Sequence, residues 1–129
     1  MTPDLIAYVR ECGDGVVSTL GSAGGPQSAY LPIAVTDAGE LVFDARVDSR
    51  KVANIQRDPR VAVVVGGADG LTLQLEGMAD LPTGEDRDRC AAAYTAAFPQ
   101  FAASLAQPHI ALVRVTVTWS LLGDYRELA

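Results

Sequence analysis

The stretch Leu71–Leu81 constrains this chain more than any other. Leu71, Leu73, Leu75, Ala79 and Leu81 alternate with Thr72, Gln74, Glu76 and Asp80. A period of two belongs to a β-strand with one face in a core and the other in water or against a ligand. The pattern returns over His109–Leu121, with Ala111, Val113, Val115, Val117, Trp119 and Leu121 on one side and Arg114, Thr116, Thr118 and Ser120 on the other. Two long half-buried strands need further strands to satisfy their backbone groups, and the rest of the sequence supplies them.

Val16–Leu20 reads as a strand folded back by Gly21-Ser22-Ala23-Gly24-Gly25. That glycine run leads into another strand and not into a helix, so it is a hairpin turn and not a phosphate loop. The next strand spans Gln27 to about Val35, with Pro32 implying an edge or a bulge. Asp37–Glu40 turns the chain into Leu41–Ala45, and Val61–Val65 is a buried strand closed by Gly66–Gly70. A short helix over Pro3–Arg10 offers Leu5, Ile6 and Val9 on one face, and a longer one, capped by Thr83, spans Glu85–Phe98. Pro99 breaks it, and Gln100–Gln107 adds a further helical turn or two. The expected fold is mainly β (α+β), a six-stranded antiparallel barrel with flanking helices, with residues 1–129 as a single domain.

The chemistry concentrates in Arg46–Arg60. Ser49 suits a helix N-cap, and Asp58-Pro59 ends the helix that follows. Arg50 and Lys51 then fall in the first turn, against the positive end of the helix dipole, at a cost of roughly 0.3–1 kcal/mol per charge. A phosphate there would take backbone N–H groups, the Ser49 hydroxyl and both cations together. The alternative is a solvated basic helix start with no ligand. Five of the ten basic residues lie between Arg46 and Arg60, although the net charge is −6. An acidic chain with one basic cluster suits a small anion, and it lacks the basic face of a nucleic-acid binder.

Cys12 and Cys90 lie in no metal-ligand pattern, and with one histidine in the chain no all-protein metal site is expected. No segment approaches the ~20 apolar residues of a membrane span, and the N-terminus does not read as a signal peptide. The expectation is a cytoplasmic protein with reduced thiols and no membrane partner.

Ser49-Arg50-Lys51, followed by Asn54-Ile55 and Asp58-Pro59-Arg60-Val61-Ala62-Val63, resembles the pyridoxamine 5′-phosphate oxidase-like, FMN-binding split β-barrels. Leu73-Gln74-Leu75-Glu76-Gly77 matches in type and position, and the likeness runs from about Gly15 to Trp119. The resemblance implies a homodimer with two flavins at its interface. It assigns the FMN phosphate to Ser49, Arg50 and Lys51, and the ribityl chain and ring to Ser28, Ala29, Tyr30 and Leu31 with Asp44, Ala45 and Arg46. Gln74 would reach the ring edge from the partner subunit. Trp119 would approach from there too, or pack in the core or the dimer contact. The implied activity is FMN-dependent oxidation or reduction of a small organic substrate, with no catalytic side chain assigned.

Three departures sharpen this. The strand Gln27–Leu31 lacks the arginine and lysine of a true pyridoxamine phosphate oxidase, and that enzyme's C-terminal arginine and histidine for substrate phosphate have no counterpart in Leu121–Arg126. Both argue against vitamin B6 oxidation. Ala45 replaces a hydroxyl residue often found near the flavin phosphate. The same barrel also serves deazaflavin (F420)-dependent reductases, whose acidic cofactor tail would call on Arg46, Arg57 and Arg60. A non-catalytic flavin-binding protein is a further reading, and a haem-binding relative with His109 as ligand ranks last, since His109 reads as a surface or capping residue.

Overall fold

A computed structural model of the protein describes residues 1–128. Its order is α1 (Pro3–Cys12), β1 (Asp14–Leu20), β2 (Pro26–Pro32), β3 (Ala34–Val35), β4 (Leu41–Arg46), α2 (Arg50–Arg57), β5 (Arg60–Gly66), β6 (Leu71–Asp80), α3 (Gly84–Ala97), a 3₁₀ segment Pro99–Ala106, β7 (Ile110–Asp124) and a terminal 3₁₀ turn Arg126–Leu128. The seven strands form one sheet in the order β2-β1-β5-β6-β7-β4-β3, and every pairing is antiparallel.

The expected six strands become seven because the stretch from Gln27 to Val35 is broken after Pro32. Proline has no N–H to give a ladder, and the N–H of the next residue, Ile33, leaves the sheet to bond Gly13 O at 3.0 Å. β2 and β3 are therefore the two opposite edges of the sheet, joined by one buried residue. Edges tied this closely oblige the sheet to curl into an open barrel.

Inside the curl lie Val17, Phe43, Val63, Leu73, Leu75, Val113 and Val115, with Ile6 and Val9 of α1 and Val52 and Ile55 of α2 packed among them. Gly13 ends α1 in the left-handed conformation, φ 73°, which favours glycine. A second cluster joins Cys90 and Tyr94 of α3 to Val42 and Leu112. Thr83 stands at the N-cap position of α3 but makes no side-chain cap bond. Cys12 and Cys90 are both free, and no helix among the described residues is long and apolar enough to cross a membrane.

β6 alternates as its sequence demands, with Leu73, Leu75, Gly77 and Ala79 buried and Glu76, Met78 and Asp80 exposed. β7 does not, and here the sequence expectation needs correcting. Glu76 faces Trp119 while Gly77 faces Val117, so Thr118 is a surplus residue, a β-bulge. Gly77 belongs opposite it, because a Cβ there would run into Thr116 O. Directly opposed residues share a face. Trp119 therefore stands beside outward-facing Glu76 and Leu121 beside Gln74, not with Val113, Val115 and Val117.

Candidate functional site

α2 forms where it does because Ser49 caps it and Val52 and Ile55 anchor it. The Ser49 hydroxyl accepts the Val52 N–H at 3.3 Å, and the Asp58 N–H closes the far end on Asn54 O at 2.8 Å. The turn that leads in from β4 is fixed by Val47 N–H on His109 O at 2.9 Å and Ser49 N–H on Arg46 O at 3.0 Å. Arg50 is exposed and Lys51 half-buried, with no acidic residue in the first turn of the helix.

The cations around this turn differ in what they touch. Arg46 holds Asp48 at 3.0 Å and keeps its carboxyl below the usual aspartate range, with a smaller contribution from His109. Arg60 holds Asp58 at 2.7 Å and lowers its pKa to about 2. Arg57 donates to Leu20 O at 3.0 Å and to Asn54 Oδ1 at 2.8 Å. Among the described residues, Arg50 and Lys51 make no ion pair and no side-chain hydrogen bond.

The other candidates fall into two groups. Asp44, Ala45 and Arg46 close β4 and lead directly into the turn, with Ala45 buried and Asp44 beside the buried Tyr94 phenol, whose pKa rises through burial and then through Asp44. On β2, Ala29 and Leu31 face inward, whereas Ser28 and Tyr30 face out. Tyr30 belongs to a row that crosses the outer face of the sheet: Tyr30, Val16, Val64, Gln74, Leu121. The adjoining row is Ser28, Ser18, Ala62, Glu76, Trp119. So the structure brings Ser49, Arg50 and Lys51 together with the end of β4, and sets Gln74 and Trp119 with Tyr30 on a sheet face.

That outer face exposes large apolar side chains among its polar ones. Tyr30 is 70% exposed, Leu121 50%, Trp119 and Met78 44% and Val64 40%. A cleft of about 750 Å³ between α1, β3 and α3 contains none of the candidate residues. It is lined by alanines of α3 with Arg10 and Arg89, both already ion-paired.

Sequence reasoning gave no role to Asn54, Gln27 or Thr19, which form a buried polar network beneath α2. An asparagine between two anchoring apolar residues of an eight-residue helix was the available signal. It also passed over the ion-pair cluster of Arg89 and Arg114 with Glu40, Asp80 and Asp86, because those residues are scattered from position 40 to 114.

The family model described as pyridoxamine 5′-phosphate oxidase matches residues 1–122. The chain belongs to that family. No curated protein matches it in sequence. Among solved structures, a haem-binding protein from Mycobacterium smegmatis superposes with a TM-score of 0.81 at 19% identity, over 97% of this chain and 56% of that one. This chain thus spans little more than half of that relative. A conserved hypothetical protein from Mycobacterium tuberculosis gives 0.81 at 22% identity, over 99% and 88% of the two chains. HutZ, a haem storage protein from Vibrio cholerae, gives 0.80 at 14% identity, over 96% of each. At such identities the likeness is one of fold. The chain carries Ser49, Arg50 and Lys51 at the start of α2 and has no charged residue on β2.

Proposed function

We propose that the protein binds FMN with the phosphate at the N-terminus of α2 and uses it, as a homodimer, to oxidise or reduce a small organic substrate. The observation that carries this reading is the pair Arg50 and Lys51, unpaired in a chain of net charge −6 whose neighbouring cations are all engaged. An anion is what makes such a pair favourable at the positive end of a helix.

The donor set suits a phosphate monoester. Arg50 and Lys51 would hold it with the first N–H groups of α2, while the Ser49 hydroxyl is already bonded to Val52 N–H. The bound flavin would supply the hydride or electron transfer. The chain's own part is to bind, to orient and to exclude water. FMN is favoured over a deazaflavin because Arg57 and Arg60, which an acidic tail would need, are committed to Leu20, Asn54 and Asp58. A B6 phosphate is disfavoured as substrate because β2 offers it no cation.

The exposed apolar side chains of the outer face support the dimer. An exposed patch of this kind marks an interaction surface, and one sheet face meeting its own copy gives an isologous contact. Gln74 lies within it, where it would be offered to the second protomer's flavin.

The deciding experiment is the absorption spectrum of the purified protein together with the mass of any released cofactor. Flavin bands and the mass of FMN are expected. A colourless protein indifferent to added FMN would end the reading. Reoxidation of bound flavin by a substrate panel separates an enzyme from a flavin carrier. Haem is the second reading, favoured by the fold likeness to two haem proteins, and a Soret band in the same spectrum would select it.

A further inference from the structure

The sheet ties the two ends of the flavin site together through a short connection alone. The phosphate end belongs to α2, which follows β4, whereas the ring-side residues Ser28–Leu31 are on β2. In the sheet β2 and β4 are separated by β1, β5, β6 and β7 one way round, and joined the other way only through Ile33 and the two-residue β3. α2, which follows β4, adds a second link to the first hairpin. Val52 and Ile55 pack it into the core, but apolar packing is non-directional.

Directional contact comes from Asn54, one turn beyond Arg50. Its side chain is buried, the residue being 4% exposed. Its Nδ2 donates to Thr19 Oγ1 at 2.9 Å on β1 and to Gln27 Oε1 at 2.9 Å on β2. Its Oδ1 accepts from Arg57, which also donates to Leu20 O. Both amide protons are thus used, and three bonds reach the two strands of the first hairpin. Gly21 leaves the room this needs, since a Cβ there would stand 2.8 Å from Gln27 Nε2. A buried polar network gives little stability over an apolar replacement of the same shape. What it adds is a single relative orientation of the parts it joins.

We propose that Asn54 is a positioning residue that locks α2 to the β1–β2 hairpin, so that the phosphate and ring ends of one flavin are met at a fixed separation. This rests on the FMN reading above. A ligand gripped at two points gains from their linkage only while the points keep the right spacing. Asn54 therefore acts on the advantage of FMN over riboflavin, which lacks the phosphate, and not on either end alone.

The test is that ratio, Kd for riboflavin over Kd for FMN, measured by flavin fluorescence on folded apo-protein, with thermal melts alongside. N54L is expected to lower the ratio by about tenfold and T19V by about threefold, through a loosened linkage, while T19S, which keeps the hydroxyl, leaves it as in the parent. A structural role alone would shift the melt and move both affinities together, leaving the ratio unchanged, and that result overturns the proposal. If N54L does not fold, the contrast between T19V and T19S decides. The R50A/K51A variant separates the two failures. If it keeps the parent's ratio, the phosphate reading falls and the role of Asn54 with it. If it loses the ratio while N54L and T19V keep theirs, only the positioning role is overturned.

Discussion

Two groups of positive side chains in this molecule invite comparison. Arg89 and Arg114 sit among Glu40, Asp80 and Asp86, with Arg114 2.7 Å from Asp80, 3.3 Å from Glu40 and 3.4 Å from Asp86. Arg89 bonds Glu40 and lies 3.0 Å from Asp86. The Thr36 hydroxyl adds a bond to Glu40 at 2.9 Å. Every charge there has its opposite, and together they fasten α3 to β6, β7 and the turn before β4. Arg50 and Lys51, at the positive end of α2, have none among the described residues. Paired cations are explained by the fold. Unpaired ones, placed where the backbone repels them, call for something outside the chain.

The sharpest way to break this contrast is to remove the unpaired cations. R50A/K51A is expected to weaken FMN binding by roughly 3–6 kcal/mol, at about 1.5–3 per charge-assisted contact, as read by titration of apo-protein. Unchanged affinity would make α2 an ordinary solvated helix start. Removing a paired cation should do the reverse. R114M takes one of two cations from Glu40 and from Asp86, and from the half-exposed Asp80 its partner among the described residues, a loss of about 1–2 kcal/mol visible in urea unfolding. The FMN affinity of the folded fraction should stay as it was.

Acid sharpens the same comparison. Arg89, then the Thr36 hydroxyl, hold the Glu40 carboxyl below the usual range against its partial burial, and Arg89 with Arg114 do so for Asp86. A depressed carboxylate contributes stability that is present above its unfolded pKa and lost as pH falls through its folded one. Stability curves of the parent and R114M should therefore converge as pH drops below the ordinary carboxylate range. A constant gap would mean that Arg114 acts through packing. The smallest effect is on apo-protein: R50A/K51A should be unchanged or more stable by about 0.3–1 kcal/mol per charge, once the clash with the dipole is relieved. A loss of stability would show that these cations serve the fold after all.

Local signals explain what could be read in advance. Leu71–Leu81, the glycine turns and Ser49 before Arg50 each act within a few residues, so the strands, hairpins and α2 were legible. The break after Pro32 was half legible, as an edge or a bulge, but not as a strand shared between both edges, because that depends on Ile33 finding Gly13. Trp119 misled because a bulge is decided by the opposite strand, at Gly77, which the alternation of β7 does not contain. The basic first turn of α2 was visible in Arg50 and Lys51. The hold of Asn54 on Thr19 and Gln27 was not, since those partners lie 35 and 27 residues away.

The surplus residue at Thr118 makes β7 a strand read in two frames. Up to Val117, odd positions line the barrel interior; beyond it, Trp119 and Leu121 look outward despite their odd numbers. Deleting Thr118 would restore a regular ladder while Trp119 still opposed Glu76. Length variation at this point is thus silent with respect to the outer surface. Straightening the strand without shortening it would not be silent, because Trp119 and Leu121 would then turn inward and Thr118 and Ser120 would take their places outside.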